Sequence, residues 1–584
     1  MTTERMIIAR DDHTDRSIMK RDNKLIVAAV VLPFLVGVFF DQTAAYKLSY
    51  MHFFVLTALI VTYNVVLSIQ RADWERRKFV FQCSCMGFFT IGAVQGVCLI
   101  RDTEDFSDSL RTGLGIGLAI LLIIVLLVLL KAEKGVTENV ITLVIFAAFM
   151  LRIFYAGLTM ALLYQNDLTV FHPDCTGHLG YVYYMYADGR LPDVDPTTQF
   201  EFYQPPLHYA VSAVFLRILE FMHLFPAERE GVEEILQVLP MIYSMITIVF
   251  IDKIGRQMKL SPEGRLISVC LAGFLPYSVM TGAALNNDPL ALLLMVMSIY
   301  FTFKWYDNPD MKGILIMALC IGGAMMTKLS SVLIAPAMAV MMLHRAWKDR
   351  KRWTVYLKQF TGFGLVAFPL GLWHSLYCFI KYQMPIGYAS PLGEDSLQYI
   401  GNYDKWERFF DFDRAFEYLG VRMDYANYFA DYNIPVTLIK FATFGESVYY
   451  RQSSLTNALG IGMFWVNAVL FILMAVAFVA WCFFRDGRMI QKIFIFTGVV
   501  VSLVLYVKFC LKYTHVCTMN IRYIMCAVYL GCITIAAASS GLQERIAGKS
   551  EKGGRICRRI LTAVPLLYAV AVIVLKAGME TLIF

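Results

Sequence analysis

Along the 584 residues, apolar runs of about 16 to 27 residues alternate with short polar connectors about fifteen times. A run of that length, folded as a helix, crosses about 30 Å of hydrocarbon, and a helix is the one open-ended structure that satisfies its own backbone polar groups there. The pattern therefore predicts an all-α, polytopic transmembrane bundle of about 15 spans. They lie near 25–41, 48–69, 79–100, 113–130, 140–164, 235–252, 264–283, 287–306, 313–328, 331–345, 356–378, 457–482, 491–509, 521–541 and 560–582. No soluble domain of ordinary size fits between them. Six Lys or Arg in the first 24 residues precede the first run, as in a signal peptide, but Phe39, Phe40, Asp41 and Gln42 make no small-residue cleavage site. The first run is read as a retained span.

Charge then orients the bundle. The connectors Arg71–Lys78, Lys253–Arg265, Arg345–Arg352, Arg485–Lys492 and Arg545–Arg559 are all basic, which predicts that each is cytoplasmic. One further apolar segment, 207–225, carries Arg217, Glu220 and two His. If it crossed the bilayer, every basic connector after it would move outside. The charge rule makes it an in-plane amphipathic helix instead. The result is an odd number of spans, with the N-terminus cytoplasmic and the C-terminus outside. Outer loops run over 165–234 and, larger, over 379–456. Three sections follow: a tail and four-span accessory module at 1–135, a core at 136–545, and a basic cytoplasmic loop with a last span at 546–584.

Composition changes this picture little. The net charge of +7 sits in short connectors, as topology requires, so nucleic acid is not implied. Thirteen Cys, mostly single and within apolar runs, behave as small hydrophobes, and their odd number argues against a fully paired disulfide framework. Cys510 and Cys517 flank an outer loop where a disulfide stays open, and Cys83 and Cys85 lack the further ligands of a zinc site.

Under this topology nearly everything polar collects outside. The loop at 172–208 reads HPDCTGHLGYVYYMYADGRLPDVDPTTQFEFYQPPLH. Asn286, Asn287 and Asp288 open one span, Lys328 closes another, and Asn520, Arg522 and Tyr523 lie near the outer end of a third. Asp174 followed by an in-plane helix, Tyr203-Gln204-Pro205-Pro206-Leu207-x-Tyr209, the NNDPLALLL segment at Asp288, TKLSSVLIAP at 327–336 and NIRYI at 520–524 form an ordered set. This set resembles the C-type (GT-C) glycosyltransferase superfamily, in the branch of the protein O-mannosyltransferases and lipid A aminoarabinose transferases (family 39), over roughly 140–540. The resemblance implies a membrane enzyme that takes a sugar from a polyprenyl-phosphate carrier to an acceptor outside the cytoplasm. It also implies catalytic roles for Asp174 and Asp288. Two positions depart from the family pattern. Cys175 replaces its second acidic residue, which weakens a metal-dependent reading, and Gln204 replaces the Lys found before Pro-Pro in the aminoarabinose transferases. Phosphate charge then falls to Arg522, Lys328 or Arg190.

Such a transfer needs a base for the acceptor hydroxyl and cations for the departing phosphate. Asp174, at the membrane surface, suits the base and also suits an N-cap, roles that coexist. Asp288 before Pro289 reads equally as a site carboxylate or a helix cap. His172, Asp174 and His178 give HxDxxxH, but His172 precedes the helix, so hydrogen bonding to sugar or backbone is favoured over a metal. No metal ligands are assigned and a divalent cation is left open. Arg522 is costly beside hydrocarbon unless it snorkels or grips an anion; Lys328 has the same two readings. Tyr203, Tyr209 and the tyrosines at 181, 183, 184 and 186 either offer faces for a sugar or populate the membrane interface, and Glu446 in the large loop is a further site residue. Arg152, in mid-span, requires an internal ion pair or a headgroup.

The function expected is an inverting membrane glycosyltransferase of a bacterial plasma membrane, acting on a lipid, glycan or protein acceptor. Two rivals stand beside it: a lipid or solute transporter or flippase, and a glycan polymerase or ligase with a pyrophosphate-linked donor.

Overall fold

The computed structural model describes the chain from 104 onward, apart from 133–134, 159–160, 162–170, 173–174, 222–231, 397, 414, 417–430, 446–449, 452–453, 485, 487, 579 and 582–584. The predicted spans near 25–41, 48–69 and 79–100, the Cys83 and Cys85 pair, Asp174 and Glu446 lie outside the described residues. Two compact units are present, Met1–Leu110 with Leu216–Ile235, and Arg111–Phe215 with Leu236–Phe584. The site described below belongs wholly to the second.

Helices occupy the predicted runs. In chain order they are α1 (Glu104–Ala132), α2 (Glu138–Leu158), α3 (Gly177–Asp188), α4 (Leu207–Phe221), α5 (Val238–Gln257), α6 (Pro262–Phe274), α7 (Pro276–Met280), α8 (Asp288–Asp307), α9 (Met311–Thr327), α10 (Ala335–Lys348), α11 (Trp353–Tyr382), α12 (Ile434–Phe444), α13 (Ser454–Cys482), α14 (Met489–Lys512), α15 (Met525–Lys549) and α16 (Glu551–Ala577). Among the described residues eight helices are long and apolar enough to cross a membrane, or nine with the bent α6–α7 pair. α4 covers fifteen described residues, about 22 Å. Leu216 and Leu219 are buried on it, while Arg217 and Glu220 pair at 2.9 Å on its exposed side.

Local chemistry sets the ends. Asp310 caps α9 by accepting from Gly313 N, and Ser550 caps α16 by accepting from Gly553 N. Ser550 is also the one break in the basic stretch 545–559, expected to be a loop and found as the abutting ends of α15 and α16. Pro276 cannot continue α6, and the chain bends by 64° there.

Arg152 answers that break. The carbonyl of Gly273, near the end of α6, accepts from Arg152 Nη1 at 2.8 Å, and the carbonyl of Ala148 at 3.0 Å; Ser244 Oγ, Ser278 O and Ser278 Oγ complete five hydrogen bonds. The expectation of an ion pair or headgroup is thus corrected: neutral oxygens, some exposed by the proline break, satisfy a fully buried guanidinium. Cys510 and Cys517 form no disulfide; the Cys510 thiol donates to Thr518 O instead.

The core runs along α5, α8 and α15. α8 packs against α5 and α9, and α6 against α15 and α16. The window around α15 is 83 % buried and that of α13 only 22 %, so α13, with Ile472, Val476 and Val479 exposed, presents its apolar surface to lipid. Among the described residues, the basic connectors from 253 onward gather at one end of the bundle. At the C-terminal end of α8, Gln257 donates to Asp307 at 2.6 Å and Tyr306 meets His344 and Arg345. Arg488 donates to Lys259 O beside it. There Arg265 and Arg256 each engage both Glu138 and Asp252.

Candidate functional site

The opposite end of α8, about 30 Å away along its twenty residues, carries the polar residues singled out in the sequence. Its outer wall begins at α3. Gly177 sits at φ 80°, a conformation that L side chains avoid, and its N–H donates to Phe200 O at 2.8 Å. A side chain at Gly180 would come within 2.0 Å of Cys175 O, so glycine lets the approach segment lie flat on the first turn of α3. From that turn His178 donates to or accepts from the Tyr209 hydroxyl at 2.7 Å. Tyr181 stacks on Tyr209 at 4.0 Å and on Phe202 at 4.8 Å. These rings form one buried aromatic wall between α3 and α4.

A polar chain crosses from this wall to the transmembrane helices. His178 Nε2 lies 3.9 Å from Glu201 Oε2. Gln204 donates to the same Glu201 oxygen at 3.0 Å and accepts from Asn287 Nδ2 at 3.3 Å. Asn287 also donates to Thr327 O at 3.0 Å, which ties the start of α8 to the end of α9. Glu201 holds φ 65°, costly for a non-glycine residue by about 1–2 kcal/mol. Its neighbours therefore over-determine it.

Next along the helix ends, Asp288 and Lys328 form an ion pair, each side chain about 15 % exposed. Asn286 Oδ1 accepts from Asp288 N at 3.0 Å, so the cap of α8 is supplied by its neighbour and the Asp288 carboxylate is left to Lys328. Arg522 stands on the turn Ile521–Ile524, where Asn520 Oδ1 accepts from Arg522 N at 2.9 Å. Its guanidinium covers the Tyr523 ring at 5.0 Å and donates to the Tyr523 hydroxyl at 3.1 Å. Lys328 Nζ lies 5.2 Å from the same ring. Arg522 is close enough for its charge to act on Asp288. Lys328 and Arg522 thus both face the Asp288 carboxylate.

Seven residues selected from sequence thus converge: His178, Gln204, Tyr209, Asp288, Lys328, Arg522 and Tyr523. Tyr203 lies to one side, its ring edge-on to Tyr388 of the large loop at 5.4 Å. Arg190 is exposed beyond the end of α3 and pairs with Asp188 at 3.7 Å. Among the described residues no group of three or more His, Cys, Asp or Glu is placed to hold a metal ion. Sequence reading missed Glu201 and His208. Glu201 lies three positions before Gln204, a spacing that could have flagged it. His208 is 3 % exposed and its Nδ1 is buried without a hydrogen-bond partner. Burial first, then neighbouring His178, pushes its imidazole down to about 3, with Asp288 acting the other way.

Residues 204–373, from Gln204 through α8 and α9 into α11, match the family model described as dolichyl-phosphate-mannose-protein mannosyltransferase. This bears out the resemblance to the C-type glycosyltransferases over that segment. Curated proteins give no match. Among solved structures, the chain is similar to ArnT from Cupriavidus metallidurans in the apo state, at 15% identity over 63% of this chain and 74% of that one, with a TM-score of 0.28. It is also similar to the same protein bound to undecaprenyl phosphate, at 14% identity over 70% and 80%, with a TM-score of 0.30.

Proposed function

We propose that the protein is a membrane glycosyltransferase that moves a sugar from a polyprenyl-phosphate carrier to an acceptor hydroxyl at the extracytoplasmic face, with inversion. The observation that carries this reading is the convergence of two cations at the start of α8, where Lys328 and Arg522 flank Asp288 and share the Tyr523 ring. A phosphodiester brings one negative charge and oxygens that a guanidinium grips with two hydrogen bonds. Arg522 and Lys328 take the phosphate and stabilise the charge that grows on it as the sugar leaves. Asp288 holds Lys328 in place until the phosphate arrives.

Asp174 is the base that removes the acceptor proton. It lies one residue before Cys175, whose carbonyl rests against Gly180 on α3, and His178 stands on the first turn of that helix. The gathering of basic connectors at the far end of α8 supports an extracytoplasmic site. The test is transfer from undecaprenyl-phosphate sugars by protein in lipid nanodiscs. Asp174→Asn keeps shape and loses basicity, so it is expected to lower turnover by about 10³-fold or more with the carrier still bound. Full turnover in that variant would refute the base.

A further inference from the structure

Resting on that reading, we infer that His208 Nδ1 receives a neutral hydroxyl of a substrate, so that His208 is a specificity-determining residue of the site. A buried polar atom with no partner is rare, and each one asks for an explanation. His208 occupies the first turn of α4, directly after Pro205 and Pro206. Leu207 beside it packs against Tyr243, Leu290 and Leu293, which holds the turn in place. The His208 ring stands edge-on to Tyr209 at 5.3 Å, and Tyr209 in turn holds His178. Both His178 and Asp288 act on it electrostatically, so it belongs to the same end of the bundle as the phosphate-binding cations.

Because burial keeps this imidazole uncharged, it does not compete with Lys328 and Arg522 for phosphate. It offers a single uncharged nitrogen, and the complementary group is a hydroxyl. The sugar is bonded to the phosphate and would lie beside Asp288, whose charge acts on His208. A site built to hydrogen-bond a hydroxyl rejects an analogue lacking it, which is how such a residue selects.

The experiment uses the full chain in nanodiscs, as wild type, His208→Phe and His208→Asn. The probes are bare undecaprenyl phosphate and undecaprenyl phosphate carrying mannose, glucose, galactose or 4-amino-4-deoxyarabinose. Bare carrier is expected to bind all three proteins alike. The preferred sugar-linked carrier is expected to bind His208→Phe about five- to twentyfold more weakly, with His208→Asn, whose amide reaches the position of Nδ1, restoring most of the loss. His208→Phe should also melt at or above the wild-type temperature, since it removes an unpaired buried nitrogen and keeps the ring. Unchanged carrier binding with a raised KM for the acceptor would assign the hydroxyl to the acceptor. Unchanged binding and unchanged KM would overturn the inference, and so would equal weakening of bare and sugar-linked carrier. If wild type binds no carrier, with or without sugar, the proposed function fails and this inference with it.

Discussion

The two ends of α8 treat charge in opposite ways. At the C-terminal end of α5 and the start of α6, Arg256 and Arg265 are matched by Glu138 and Asp252, each cation contacting both acids. That set is neutral, and every member is held by another member. At the N-terminal end of α8, Asp288 meets Lys328 directly while Arg522 adds a second cation shared with an aromatic ring. Neighbouring uncharged groups carry further capacity there, above all the His208 nitrogen. A balanced network serves the fold, because separating Arg265 from Asp252 leaves a buried charge. At the other end two cations share one aromatic ring beside Asp288, which on the proposed reading suits an anion that comes and goes.

Substitutions at the two ends sharpen this contrast. The largest expected effect on stability is at the balanced end: Arg265→Met should cost about 3–5 kcal/mol, by leaving Asp252 and Glu138 short of a partner. Thermal unfolding in nanodiscs would register it, and the surviving folded fraction should keep its specific activity. At the other end Arg522→Met should lower turnover by about 10²-fold or more and weaken undecaprenyl phosphate binding, while the melting temperature moves little. A large fall in melting temperature with normal turnover would reverse the assignment of the two ends. Next in size, Lys328→Met, Asp288→Asn and their double variant should show a coupling of about 1–2 kcal/mol in carrier binding.

A smaller effect is expected from pH. The folded His208 titrates at about 3 against an ordinary 6.5, so the unfolded chain takes up a proton first as pH falls. Its contribution is therefore intact above 6.5 and is lost progressively between 6.5 and 3. The melting-temperature advantage of His208→Phe over wild type should grow as pH falls through that window. A difference that stays constant with pH would show that the imidazole is not held neutral. The smallest effect is at Glu201: Glu201→Gly relieves the strain of φ 65°, a gain of up to about 1 kcal/mol offset in part by the entropy glycine loses on folding, yet it removes the acceptor for Gln204 and should weaken carrier binding a few-fold.

Much of this was legible in advance because it is local. Hydropathy along twelve of the predicted runs gave helices that the structure contains, since a run of apolar residues in a membrane has no alternative to the helix. Pro289 marks the start of α8 through its own backbone chemistry, whereas the break at Pro276 falls inside the single predicted span at 264–283. Seven of the site residues were found because polar side chains at the edges of apolar runs are costly and stand out. The partner of Arg152 was not legible: its acceptors at Gly273 and Ser278 lie 121 and 126 residues away. They are ordinary backbone and hydroxyl groups that no composition argument singles out.

The sequence by itself determined that this chain is a helical membrane protein, roughly where its described helices lie, and that its basic connectors from 253 onward belong together. Each of these follows from interactions within a span or between a span and its solvent. Only the tertiary structure decided that Asn287 meets Gln204 across 83 residues and that Lys328 meets Asp288 across 40, that Glu201 joins them, and that His208 Nδ1 is left without a partner. Such pairings depend on how closely helices distant in the chain approach each other. Side-chain packing along α5, α8 and α9 sets that approach, and many sequences with the same apolar pattern would set it differently.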